Sequence, residues 1–322
     1  MQEDAAVVLR SAADFGHERR EVLQLPVGDG HFVGATLHMP GAGSGERGGG
    51  DEEGSPNASA PGGRPPAAGR RLPAILLLPG WTGPRTGPAE LLVFLARELT
   101  RHGYPVLRID FHGRGDAGGI FGECDLDRMI REAGRGLEYL NARFPGATLV
   151  AGGICSGANV ALGLASLRPA EVAGVMAYSV LPFQPARAAT FDRRRRWKNV
   201  KQYAAKAMCP ATWLKLIRGE VNVGRIKENL TATEKPREGE RNLRDSARDI
   251  EKELRAWKGR ALFVWGGGDD EAPPSRVHYE ELHAAGLARE ARWHVVPGAN
   301  HNFYAQAWRE ELGRETVAFL AG

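Results

Sequence analysis

Cysteine is scarce in this sequence: 322 residues hold 3, namely Cys124, Cys155 and Cys209. No two of them form a C-x-x-C pair, so neither a disulfide framework nor a thiolate zinc site is indicated. A dominant charge is missing as well. Lys and Arg number 43 against 39 Asp and Glu, a formal charge of +4, and so small an excess does not call for a nucleic-acid partner. No apolar run approaches the roughly 18 residues that span a bilayer. The opening stretch MQEDAAVVLRSAADFGHERR carries acidic residues early and lacks the apolar core of a cleavable signal, so a cytoplasmic location is expected. No fixed-period repeat is visible. Hydrophobic residues nonetheless make up 42% of the chain, ample for a sizeable buried core.

What is present is an alternation of strand-like and helix-like segments. After an N-terminal extension over 1–20, REVLQLPV and HFVGATLHMP read as an opening hairpin that turns near Gly28-Asp29-Gly30. From 41 to 71 the composition shifts to Gly, Pro, Ala and Ser. Such a segment buries too little apolar surface to offset its ordering entropy, and a disordered surface loop is expected. PAILLLPG then reads as a strand buried on both faces. AELLVFLARELTRHG has helical spacing and closes on Gly103, a natural helix end. Strand and helix follow again as YPVLRID and DLDRMIREAGRGLEYLNAR, then as ATLVAGG and GANVALGLASL. VAGVMAYSV, RALFVWGGG and ARWHVVPG are further strands, and FYAQAWREELGRETVAFLAG is the closing helix. The pattern predicts an α/β fold with a mostly parallel sheet of eight-stranded type and helices on both faces. Its core falls into 21–183 and 241–322, with a basic, Trp-containing segment at 184–240 expected to form an inserted helical cap.

Reactive groups of an open α/β sheet collect on the loops after the strands. Those loops here are LLLPGWTGPRTGP, GICSG, VWGGGDDEAPP and VVPGANHNF. In chain order they offer a glycine that turns backbone N–H groups inward, two adjacent nucleophiles in Cys155 and Ser156, an acid in Asp269 or Asp270, and a base in His301. Outside the loop at 41–71, the chain from about residue 20 onward resembles the α/β-hydrolase superfamily, whose triad follows the order nucleophile, acid, histidine. Within it, GWTGPRTGPAELLVFLARELTRHGYPVLRIDFHGRGDAGG is similar to the serine-aminopeptidase-like hydrolases, including those linked to exosortase systems. GICSG is similar to the elbow of the dienelactone hydrolases, whose nucleophile is a cysteine. Two departures stand out: the elbow has Cys where the superfamily usually has Ser, and Pro79 stands where a His often precedes the glycine.

In the motif G-x-Nu-x-G the nucleophile lies midway between glycines that let the backbone cross and the helix approach the strand. Gly153 and Gly157 flank Cys155 in this way, whereas Ser156 would be flanked by Ile154 and Ala158. Cys155 is therefore expected to be the nucleophile, with backbone N–H groups of Trp81 and Ser156 as the oxyanion hole. Asp269 fits the G-x-x-D spacing common in the superfamily, and Asp270 is the alternative. Histidines other than His301 read as surface or packing residues. RIDFHGRGD, with Asp110, His112, Arg114 and Asp116, reads as a strand-end loop tied by its own side-chain hydrogen bonds. Arg193, Arg194, Arg195 and Arg196 form either a rim for an anionic acyl substrate or a solvated helix face. No metal spacing is recognisable, and no cofactor is required.

The expected activity is hydrolysis of an ester, thioester or related acyl bond through Cys155, His301 and Asp269. The substrate is expected to be a small-molecule or carrier-bound acyl compound, with no nucleic-acid partner; oligomeric state is not readable. An acyltransferase would use the same triad, and a non-catalytic binding protein would retain only the fold.

Overall fold

Leu76, at the middle of the apolar run AILLL, is a convenient origin for the architecture. In the computed structural model, which describes residues 7–28, 30–41, 72–183 and 243–322, this run is strand β4 (Ala74–Leu78), buried throughout. Side chains alternate across a strand. Ile75 and Leu77 join one core cluster with Leu91, Leu95, Leu99, Phe319 and Leu320. Leu76 points the other way, so that a Cβ on Gly136 would sit 3.0 Å from its Cδ1. Both faces are covered, which is why the run contains no polar position.

The remaining strands are β1 (Val8–Asp14), β2 (Glu18–Pro26), β3 (Phe32–Pro40), β5 (Val106–Ile109), β6 (Leu149–Ile154), β7 (Val172–Tyr178), β8 (Arg260–Gly266) and β9 (Glu290–Val296). They form a 9-stranded sheet in the order β1-β2-β3-β5-β4-β6-β7-β8-β9. The ladders from β5 across to β9 are parallel, and β1, β2 and β3 pair antiparallel. Nine strands among the described residues, rather than the expected eight, arise because β1 lies inside the segment 1–20. Every residue of β1 is exposed. An edge strand that packs neither face needs no apolar alternation, and VLRSAAD carries none.

Helices α1 (Leu91–Arg101) and α6 (Gln306–Ala321) cover the Ile75 face. On the Leu76 face lie α2 (Leu126–Arg143) and α3 (Ser156–Leu167). Two further helices, α4 (Ile250–Glu253) and α5 (Ala272–Ala284), precede and follow β8. α2 starts where Asp125 accepts from the Arg128 N–H at 2.8 Å, an N-cap by a short acidic side chain. α1 ends against Gly103, whose φ of +89° suits a left-handed helix end.

A buried polar cluster interrupts the apolar interior on the antiparallel side. His38 Nδ1 pairs with Glu18, while His38 Nε2 accepts from Arg108 Nε at 3.0 Å. Burial favours neutral Glu18, but hydrogen bonds from His38 and Arg20 reverse this and hold it down to about 2. Burial also depresses His38, to about 4, with Glu18 opposing only in part.

The chain divides into two compact units, Met1–Leu181 with Ser246–Gly322, and Pro182–Asp245. The sheet and its helices belong to the first. The cap expected at 184–240, with Arg193 to Arg196, lies outside the described residues. So do Cys209, Asp29 and, apart from Gly41, the loop expected at 41–71. Among the described residues no helix is long and apolar enough to cross a membrane.

Candidate active site

The turn after β6 brings the backbone into a conformation that few residues tolerate. Cys155 has φ 55° and ψ −123°, a region costly for any side chain bearing a Cβ. It is held there by neighbours on three sides. The Cys155 N–H donates to Tyr178 O at 2.8 Å, its carbonyl accepts from Ala158 N at 3.0 Å, and α3 begins at the next residue. Glycine is required on both flanks. A Cβ on Gly153 would lie 2.3 Å from the Gly157 carbonyl carbon, and one on Gly157 would lie 2.3 Å from Leu78 O. Strand β6, helix α3 and the end of β4 therefore meet at a distance that only unsubstituted backbone allows.

His301 reaches this turn from the loop after β9. Asn300 Oδ1 accepts from the N–H groups of Asn302 and Tyr304 at 3.1 and 3.3 Å, folding the loop on itself. Phe303, fully buried, fastens it to the core. The imidazole Nδ1 bonds Asp269 Oδ2 at 2.6 Å, which leaves Nε2 outside that bond, and His301 and Cys155 are near enough for each to shift the other's protonation. Asp269 is fixed in turn, because its Oδ1 accepts from the Glu271 N–H at 3.0 Å. The carboxylate that accepts from His301 Nδ1 is that of Asp269, and Asp270 is exposed. The glycines between β8 and Asp269 serve close packing: a Cβ on Gly266 would lie 2.3 Å from Ala299 O.

The charges in this group support one another. Burial by itself pushes the Cys155 thiol up. Hydrogen bonding and charge from His301, with the Ser156 hydroxyl and N–H, outweigh it and leave the thiol below its ordinary value. Burial pushes His301 down, and its bonds to Asp269 and Cys155 carry it up instead, to about 10. Position adds to this, since a thiolate at a helix N-terminus is favoured by the exposed N–H groups there. Cys124 contrasts: buried and beside Glu132, it is pushed up to about 11. Both shifts run in the direction of a thiolate at Cys155 and an imidazolium at His301.

The loop after β4 lies against the elbow. A Cβ on Gly80 would be 3.7 Å from Cys155 Cβ, so Gly80 borders Cys155 and Trp81 is the next residue along this loop. The Ser156 hydroxyl is 3.9 Å from Cys155 Sγ. All residues singled out in the sequence, Gly153, Cys155, Ser156, Gly157, Trp81, Asp269 and His301, thus belong to one edge of the sheet. Glu271 was not anticipated. Its carboxylate, with ligand atoms of Asp269 and His301, falls in a group whose atoms lie within 4.8 Å of one another. An ion held there would compete with the bond between Asp269 and His301. The run DDE was the available signal, but a carboxylate two residues from Asp269 is distinguished only by the turn into α5.

The model of the alpha/beta hydrolase family matches residues 75–314. The chain belongs to the alpha/beta hydrolase family. No curated protein sequence matches it. Among solved structures, this hydrolase-family chain is similar in fold to Est1E from Butyrivibrio proteoclasticus with ferulic acid bound, at 13% identity, covering 92% of this chain and 97% of that one with a TM-score of 0.54. A dienelactone hydrolase from Anabaena variabilis is similar at 13% identity, 94% and 96% coverage and a TM-score of 0.53. An esterase from Pyrococcus furiosus is similar at 16% identity, 94% and 89% coverage and a TM-score of 0.57.

Proposed function

We propose that this member of the alpha/beta hydrolase family cleaves an ester, thioester or related acyl bond, with Cys155 as nucleophile, His301 as acid and base, and Asp269 as its orienting acid. The observation that carries the reading is the bond between His301 Nδ1 and Asp269, in a histidine that shifts the protonation of a Cys155 held at a positive-φ turn. The Cys155 thiolate attacks the acyl carbonyl, whose electron pair moves onto oxygen. Backbone N–H groups of Trp81 and Ser156 stabilise that oxyanion, each worth on the order of 3 kcal/mol when aimed at the forming charge. As the pair returns, the bond to the leaving group breaks, and imidazolium His301 protonates it. The acyl group now rests on sulfur as a thioester. Having given up its proton, His301 is now a neutral imidazole and takes a proton from water as that water attacks. Collapse of the second oxyanion releases the carboxylic acid and restores the pair. Asp269 keeps Nδ1–H directed away from Cys155, so that Nε2 faces the reacting atoms throughout.

Fold neighbours named as esterases and as a dienelactone hydrolase agree with this reaction class. Kinetics with short-chain aryl esters and thioesters test the assignment. Cys155→Ala is expected to abolish turnover, while Ser156→Ala keeps much of it because the role given to Ser156 is carried by backbone. The reverse pattern would transfer the nucleophile to Ser156 and overturn the reading.

A further inference from the structure

Arg114 belongs to the run RIDFHGRGD that the triad leaves unused, yet it is only 4% exposed. Its Nε donates to the carbonyl of Trp81 and its Nη1 to the carbonyl of His112, the latter at 2.8 Å. The guanidinium lies over two rings that meet edge to face, 4.4 Å from the centroid of Phe121 and 5.1 Å from that of Trp81. His112 is itself fixed, since its N–H donates to buried Glu132 at 2.9 Å. Among the described residues no carboxylate pairs with Arg114; its neighbours are carbonyls, ring faces and the Cys124 thiol. A buried guanidinium without a counter-ion is costly to fold, so packing alone accounts poorly for a cation in this place. The same loop is held at its far end. The Arg85 N–H donates to Asp110 Oδ1 at 2.5 Å, and Arg108 Nη1 donates to Arg85 O at 2.8 Å.

We propose that Arg114 is a positioning residue, which holds Trp81 by its carbonyl and its indole so that the Trp81 N–H stays aimed at the oxyanion formed on attack by Cys155. The inference rests on the reading of Cys155 as nucleophile and Trp81 as donor. Fixing both the peptide after Trp81 and its side chain leaves the residue little freedom to turn its own N–H away. The positive charge adds a favourable potential for the anion that appears beside it. In the ground state there is no such anion, so the effect falls on kcat more than on KM.

The test compares two reactions of the same sulfur in the full chain. Hydrolysis of a short-chain aryl ester forms an oxyanion. Thiolation by methyl methanethiosulfonate consumes the thiolate without a carbonyl. For Arg114→Gln, kcat is expected to fall by about 10- to 100-fold, less than complete loss of a donor, with KM little changed. The thiolation rate is expected to stay within about twofold of the unsubstituted protein, because that reaction needs only the thiolate. Arg114→Lys, which keeps the charge but not the planar fork, is expected to recover part of kcat, and it carries the same comparison should Arg114→Gln fail to fold. Unchanged kcat, or equal losses in both reactions, would overturn the proposal. Full turnover by Cys155→Ala would instead remove the reading beneath it.

Discussion

Replacing Gly157 by Ala adds a single methyl group at the place where helix α3, the turn at Cys155 and the loop after β4 converge. Its Cβ would lie 2.3 Å from Leu78 O and 2.5 Å from Pro79 O. Carbon–oxygen contacts settle near 3.3–3.6 Å, so the first turn of α3 and the end of β4 must part by about 1 Å. The atoms in the way are backbone, and no rotamer change can relieve the clash. Overpacking of this kind destabilises by about 1–3 kcal/mol. The displacement also carries Pro79, Gly80 and Trp81 away from Cys155, and a misplacement of about 1 Å can lower turnover by about 10²-fold. Gly134→Ala in α2 is the matched control. Its Cβ would meet nothing nearer than Leu164 Cδ1 at 4.0 Å, and in a helix interior the change is expected to stabilise by about 0.5–1 kcal/mol. Urea unfolding and aryl-ester turnover of both variants give the result. Turnover within about twofold of the unsubstituted protein for Gly157→Ala would refute the argument that this close approach sets the geometry of the site.

Two other expectations follow from hydrogen bonds and charge. Asp269→Asn removes the acceptor of His301 Nδ1 and is expected to lower turnover by about 10³-fold, while Asp270→Asn is mild; steady-state kinetics of the pair check it, and the larger loss at Asp270 would move the role. Stability should fall with acid, because Glu18 and His38 are both depressed in the folded protein, to about 2 and about 4. Their contribution is full above the unfolded values. That of His38 is lost from about pH 6.5 downward and that of Glu18 from about pH 4.3 downward, so urea midpoints of His38→Phe should depend less on pH between about 7 and 4 than those of the unsubstituted chain.

The legible part of this protein is the part whose physics is local or periodic. AILLL reads as a strand because both faces are covered, and Gly153 and Gly157 read as an elbow because their spacing is that of a backbone crossing. Asp269 could be preferred to Asp270 by its distance from β8. β1 escaped notice because its uncovered faces impose no pattern on VLRSAAD. The ties of the RIDFHGRGD loop were expected to be internal. Asp110 and Arg114 instead reach Arg85 and Trp81 on the loop after β4, and the internal bonds, such as Asp116 N to Asp110 Oδ2 at 3.0 Å, are only part of the set. Partners that distant in sequence leave no spacing to read. Glu271 was missed for a related reason, since only the turn into α5 brings its carboxylate toward His301.

The most direct test of the account is to trap the acyl group. The protein is mixed with an excess of a short-chain aryl ester, quenched in acid within the first turnovers, digested, and the modified peptide is fragmented. The account predicts one acyl group on Cys155, carried as a thioester that neutral hydroxylamine removes rapidly, and none in Cys155→Ala. An acyl group on the Ser156 oxygen, stable to the same treatment and still formed by Cys155→Ala, would contradict it.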